Sequence, residues 1–189
     1  IITDLGGVYL NRGIWLFWDF LYKTYNVPVE EAKLVFLKNY KQYFSGIISE
    51  EVFWTNLLTE INLKEDWRKL REVLLSLFEV NTDVASLYSS FRTKGIKIVL
   101  LSDQSKEWWP YLDNKLKISQ NFDNVIVSSL VGLHKPNPEI YKLALTESDS
   151  NAEETVFIDD IDYNLTPAKE LGMATILFSD KTSLISDLQ

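Results

Sequence analysis

Residues 1–11 read IITDLGGVYLN. Two β-branched residues and Thr3 lead into Asp4, and the chain then passes through Gly6 and Gly7. A short β-branched run that meets glycines reads as a strand stopping at a tight turn. A carboxylate at the tip of a buried strand is costly unless something compensates for it. Capping a turn is one compensation, and a nearby cation is another. The other strand ends decide between them.

From residue 82 onward, short apolar runs alternate with helical patterns. IKIVLLS (96–102), NVIVSS (124–129), ETVFIDD (154–160) and MATILF (173–178) read as buried strands. Between and before them, DVASLYSSFRTKG (83–95), SKEWWPYLDNKL (105–116), PEIYKLAL (138–145) and NLTPAKELG (164–172) read as helices. Pro110 leaves the start of the second of these open, and Gly95 and Gly172 end the first and last. Such alternation predicts an α/β fold, a doubly wound sheet of parallel strands.

Residues 14–78 look different, being helical throughout. IWLFWDFLYKTY (14–25) is apolar almost all round, as expected for a buried or interfacial helix. Pro28 can open a second helix, VEEAKLVFLKNYKQYF (29–44), which Gly46 ends. Ser49 suits the N-cap of a third, and EDWRKLREVLLSLF (65–78) carries apolar residues at helical spacing. The reading is therefore a core formed by residues 1–11 and 82–189, interrupted after its first strand by a helical insertion, residues 12–81. Asp4, Ser102-Asp103 and Asp159-Asp160 all fall at carboxyl ends of strands, where open α/β sheets bind ligands.

The bulk composition narrows the chemistry. The 189 residues suit one domain with a sizeable insertion. With 19 Lys and Arg against 27 Asp and Glu, the net charge of −8 argues against nucleic acid or an anionic membrane surface as partner. The absence of cysteine excludes thiolate metal sites and a cysteine nucleophile. His134, the single histidine, excludes multi-histidine metal sites. No apolar run is long enough to span a bilayer, and no signal-peptide pattern opens the chain. The first residue is Ile rather than Met, so missing leading residues are expected. A cytoplasmic location is the default expectation.

IITDLGGVYL (1–10), IVLLSD (98–103), GLHKPNPEIYKLAL (132–145) and VFIDDIDYN (156–164) together resemble the four ordered motifs of the haloacid dehalogenase superfamily of phosphatases and dehalogenases. The resemblance covers nearly the whole chain, and the insertion is similar to the family's small four-helix cap. It implies a Mg²⁺-dependent phosphohydrolase for a small phosphorylated metabolite. Asp4 would be the nucleophile, giving an aspartyl-phosphate, and would also hold Mg²⁺. Asp160 would be a direct metal ligand, and Asp159 a second ligand or the orienter of a water. Gly6 would contribute its backbone carbonyl to the metal. Lys135 would neutralise Asp4 and the phosphoryl oxygens, and Ser102 would donate to a phosphoryl oxygen. Asp103 stands beside Ser102 where the family often has Asn; a carboxylate there repels phosphate unless it points away or pairs with a cation.

The resemblance departs most at Gly6. Typical phosphatases of the family carry there a second Asp that protonates the leaving oxygen. General acid–base help is worth about 10²–10⁴-fold. Turnover of alkyl phosphates is therefore expected to be slow, with acyl, aryl or anomeric phosphates suffering less. Family branches with Gly or Asn after DLG include sugar-1-phosphate phosphatases, so a sugar phosphate is one expectation. His134 is a conceivable substitute acid. The tryptophans of the insertion, Trp15, Trp18, Trp54 and Trp67, would anchor a core or stack on substrate. The first helix would line the cleft or form a dimer contact, so a monomer or a homodimer is expected. Two other readings stay open: a haloacid dehalogenase, which needs no metal and no paired acids at 159–160, and a catalytically idle phosphate-binding protein.

Overall fold

In the computed structural model, which describes residues 1–187, five parallel strands form one sheet. They are β1 (Ile2–Thr3), β2 (Val99–Ser102), β3 (Asn124–Val127), β4 (Val156–Asp159) and β5 (Ala174–Leu177), in the order β3-β2-β1-β4-β5. Ile2 lies opposite Val99 on one side and Phe157 on the other, so β1 is central. The chain first winds outward through β2 and β3. It then returns to the far side of β1 with β4. The switch point therefore falls between β1 and β4, the crevice where doubly wound sheets bind ligands.

Both faces of the sheet are covered, which is why its strands read as near-continuous apolar runs. Alternate residues of β2 serve opposite faces, as the period of a strand requires. Val99 and Leu101 pack with Phe157, Ile140, Tyr141 and Leu165, whereas Leu100 packs with Ile158 and the helical insertion. The first of these layers includes α8 (Pro138–Ser148) and α9 (Asp162–Glu170).

The insertion contains α1 (Gly13–Tyr25), α2 (Val29–Phe44), α3 (Glu50–Glu60) and α4 (Trp67–Ser76). Pro28 sits just before α2 rather than within it, and the Ser49 hydroxyl caps α3 by accepting the Val52 N–H at 3.3 Å. The chain enters and leaves the insertion side by side. The Asn11 N–H donates to the Glu79 carbonyl at 2.9 Å, and the Asn81 N–H donates to the Tyr9 carbonyl at 2.8 Å. The Asn11 side chain bridges the same crossing, donating to the Leu77 carbonyl and accepting from the Glu79 N–H.

After α5 (Thr82–Arg92) and β2 comes α6 (Trp108–Leu116), whose Trp108 is fully buried inside the insertion's aromatic cluster. Its ring meets Tyr43, Phe44 and Phe53, and its indole N–H donates to Glu50 at 2.6 Å. Pro110 occupies the first turn of α6, where a missing N–H leaves no intrahelical bond unmade. The one-turn α7 (Ser128–Val131) follows β3, and the Ser128 hydroxyl donates to the Phe44 carbonyl at 2.8 Å. Insertion and sheet are thus joined at α6 and α7 as well as at the double crossing.

Several elements differ from the sequence reading, among them α7, whose Ser128 and Ser129 were read as the end of a strand. The helix expected from Asn164 begins at Asp162, which puts Pro167 inside α9. A final helix, α10 (Lys181–Asp187), follows β5 where no helix was read. Among the described residues, no helix is long and apolar enough to cross a membrane.

Candidate active site

Thr3 ends β1, but the Asp4 N–H still donates to the Ile158 carbonyl at 2.9 Å. Asp4 is therefore held in register with β4 while its side chain leaves the sheet. β4 ends at Asp159, which is fully buried. Lys135 lies between α7 and α8 and is 2% exposed. Its ammonium donates to Asp4 Oδ1 and to Asp159 Oδ2, both at 2.6 Å. Asp159 is fixed further by the Ile161 N–H at 2.9 Å and by the Asn164 side-chain amide at 3.1 Å. Charge-assisted contacts of this kind hold a buried carboxylate in one orientation.

Asp160 points elsewhere. Its Oδ2 accepts from Arg12 Nε at 2.9 Å, while its buried Oδ1 meets no partner among the described residues. Asp4, Asp159 and Asp160 each offer an oxygen, and these lie within 4.8 Å of one another. Gly7 allows that arrangement. Its φ is +95°, and a β-carbon there would stand 2.2 Å from Asp160 Oδ2. Only a residue without a side chain leaves Asp160 where it is.

Burial first, and then repulsion from Asp159 and Asp160, push Asp4 up to about 8 despite the opposing Lys135. Burial likewise raises Asp160, helped by Asp159 and opposed by Arg12. Burial alone would lower the Lys135 ammonium, but Asp159, Asp4 and Asp103 outweigh it and raise it well above its ordinary value. Close carboxylates in a dry site cannot all ionise cheaply, which is why Asp4 and Asp160 both move upward.

A cavity of about 200 Å³ opens over these groups. It brings together Asp4, Gly6, Ser102, Asp103, Lys135 and Asp160 from four separate stretches of sequence. Asp159 lies beneath, against Lys135 and Asn164. Asp103 is turned to the loop before α8, its Oδ1 accepting the Lys135 N–H at 3.0 Å. That contact explains how a carboxylate is accommodated beside Ser102. His134 does not line the cavity; its Nδ1 faces the Lys135 carbonyl at 2.9 Å.

Sequence reasoning missed Arg12 and Asn164 as parts of the site. Arg12 carries no strand-end or motif signal and reaches Asp160 only because the chain turns back at the start of α1. Asn164 had a usable signal: a polar residue one turn into the helix that follows the acidic pair. It also missed Tyr40, which lines the cavity from α2; burial and the neighbouring Tyr163 hydroxyl keep its phenol protonated.

A family model described as haloacid dehalogenase-like hydrolase matches residues 3–178. The chain belongs to this family. A glyceraldehyde 3-phosphate phosphatase of Methanocaldococcus jannaschii is 28% identical over 168 residues, covering 80% of this chain and 68% of that protein. Bifunctional epoxide hydrolase 2 of Rattus norvegicus is 44% identical over 73 residues, or 39% of this chain, and the match spans only 13% of that longer protein. A HAD family enzyme of Bacteroides thetaiotaomicron, solved as a variant with magnesium and inorganic phosphate, superposes with a TM-score of 0.74 at 24% identity. The superposition covers 97% of this chain and 96% of that one.

Proposed function

We propose that the protein is a Mg²⁺-dependent phosphohydrolase acting on a small phosphorylated metabolite through an aspartyl-phosphate on Asp4. The observation that carries this reading is the quartet of buried Lys135, Asp4 and Asp159 with half-buried Asp160, whose buried Oδ1 is left without a partner among the described residues. An orphaned buried carboxylate oxygen is costly. Hard oxygen donors in a compact acidic cluster are what Mg²⁺ takes. The residues therefore fit the ion. Asp4, Asp160 and the Gly6 backbone carbonyl would hold it, and Asp159 would stand behind as the partner of Lys135. When bound, it would neutralise carboxylate and phosphoryl charge.

The chain's own residues do the rest. A carboxylate oxygen of Asp4 attacks phosphorus, the bond from phosphorus to the leaving oxygen breaks, and the leaving group departs with the electron pair. Water then attacks phosphorus in the aspartyl-phosphate, releasing inorganic phosphate and a proton and restoring Asp4. Lys135, pre-aimed at Asp4, balances the charge of the phosphoryl oxygens. The Ser102 hydroxyl, at the end of β2, would donate to one of them. The insertion, residues 12–81, acts as the cap that excludes water from this exchange. The phosphatase relatives support the reaction class. A metal-free dehalogenase has no use for Asp160 beside Asp159, and an idle protein has no need of the Asp4–Lys135 pair.

Hydrolysis of acetyl phosphate, with and without Mg²⁺, by wild type and Asp4→Asn tests the reading. Mg²⁺-dependent turnover that disappears in Asp4→Asn is expected. A folded wild type that leaves acetyl phosphate intact in the presence of Mg²⁺ removes it.

A further inference from the structure

We propose that the ester cleaved here is an aryl phosphate: a phosphorylated phenol whose single ring system lies against the wall that α1 and α2 present to Asp4. The proposal rests on the phosphohydrolase reading above and names its substrate class.

The wall is the first argument. Away from the strand ends, the cavity is lined by Ile14, Trp18, Phe36, Leu37, Phe44 and Phe78. Such a lining rewards an apolar leaving group by removing its surface from water. Its volume, about 200 Å³, is below the ~300–1,000 Å³ of sites that take drug-sized ligands. One ring system beside a phosphoryl group suits that size.

The second argument is what the polar lining residues are already doing. A sugar is recognised through side chains free to bond its hydroxyls, and a site without them gains nothing from a polyol. Both ends of the Asn11 amide are spent on the chain crossing, on Leu77 and Glu79. The Asn164 amide nitrogen is spent on Asp159, and the Gln104 carbonyl accepts the Ser105 N–H. The Tyr40 hydroxyl faces that of Tyr163. Besides Asp160 Oδ1, two buried atoms of the lining stay uncommitted among the described residues, Asn164 Oδ1 at the strand ends and Trp18 Nε1 on the wall. Trp18 is the one that meets the leaving group. It is 5% exposed, and its indole N–H has no acceptor among the described residues. A buried donor left so costs about 1–3 kcal/mol. One acceptor on the ring of the leaving group would satisfy it.

The third argument is the chemistry of departure. Position 6 offers no acid, and His134 does not line the cavity. The leaving oxygen must depart with its electron pair and take a proton from solvent afterwards. A phenolate bears that charge far better than an alkoxide. The wall and the missing acid thus select the same substrates for unrelated reasons.

The test compares kcat/KM of the Mg²⁺-loaded wild type for acetyl, phenyl and 1-naphthyl phosphates with that for glycerol 3-phosphate and glucose 6-phosphate. Both aryl esters are expected to exceed the two polyol phosphates by at least about 100-fold, the low end of the value of a general acid. Binding to Asp4→Asn, followed by calorimetry, is expected to favour phenyl phosphate over glycerol 3-phosphate as well. Leu37 is 44% exposed, so Leu37→Asp should fold while placing a charge on the wall. Its ratio of naphthyl to acetyl phosphate turnover is expected to fall at least tenfold. Acetyl phosphate turnover without aryl preference, or an unchanged ratio in Leu37→Asp, overturns the substrate class and leaves the phosphohydrolase. No turnover of any ester removes the phosphohydrolase first and this proposal with it.

Discussion

Gly7 and Asp160 approach so closely that a β-carbon at position 7 would overlap the Asp160 carboxylate. The glycine in the first strand's turn therefore sets the position of an acid 153 residues later. Gly7→Ala meets both that clash and a φ of +95°, a conformation that costs an L-residue about 1–3 kcal/mol. Reduced Mg²⁺ affinity, by about 10–100-fold, is expected, the usual effect of losing a group that positions a metal ligand. Calorimetric titration of the folded variant with Mg²⁺ checks it; unaltered affinity would show that Asp160 tolerates displacement.

Gly6 is the opposite case. A β-carbon there meets nothing within 4 Å, so Gly6→Asp can be built without disturbing its neighbours. The new carboxyl would stand where the missing acid belongs. Turnover of glycerol 3-phosphate is expected to rise, with about 10²–10⁴-fold as the ceiling. Acetyl phosphate, whose leaving group needs no proton, should gain little. A uniform gain on both esters would contradict the assignment of position 6 as an empty acid site.

The proton held by the acidic cluster gives a pH dependence of known sign. Asp4 is pushed up to about 8 in the metal-free protein, and a metal takes only the deprotonated carboxylate. Mg²⁺ affinity should therefore strengthen as pH rises toward about 8, with proton release detectable by calorimetry in buffers of different ionisation enthalpy. Because its folded value lies above its ordinary one, Asp4 binds more proton in the folded state than in the unfolded. Its contribution to stability thus declines as pH rises from the usual carboxylate range through about 8. The metal-free Tm should drop across that window, and saturating Mg²⁺ should abolish the drop. Proton-independent Mg²⁺ binding would show that Asp4 is ionised before the metal arrives.

Lys135→Met leaves Asp4 and Asp159 buried together without their shared ammonium. Breaking a buried pair by removing one partner costs about 3–5 kcal/mol. Urea unfolding above about pH 8, where Asp4 is ionised, should show a loss of that order, shrinking as pH falls and Asp4 protonates. A loss that is the same on both sides of that pH would mean that packing of the lysine stem, rather than charge, is what matters.

How much of this was legible in the sequence follows from where each signal lives. The sheet was readable because parallel strands covered on both faces leave continuous apolar runs, as in VLLS and VFID. Asp4, Ser102, Asp103 and the acidic pair were readable because strand ends are marked by where those runs stop. Lys135 depended on its flanking motif. The lining of the cavity was not readable. IWLFWDFLYKTY is apolar almost all round, so nothing local says that Trp18 turns toward Asp4 while Tyr22 stays 53% exposed. The pairing of Arg12 with Asp160 was hidden for a similar reason, since it depends on how α1 lies across the strand ends. Whether a sugar or a ring fills the space depends on which amides are already committed, and that is decided by contacts such as those of Asn11 with residues 66 and 68 positions away.

Lys135 reaches Asp4 across 131 residues of chain. β1 has no neighbour until Val99 arrives, and it gains its second only with Phe157. During synthesis Asp4 thus emerges ahead of the β2, Lys135 and β4 residues that surround it. Contacts so distant in sequence form late, after the local helices of the insertion are able to. A chain arrested or cut before residue 156 carries the helices of the insertion and Asp4 but no crevice between β1 and β4.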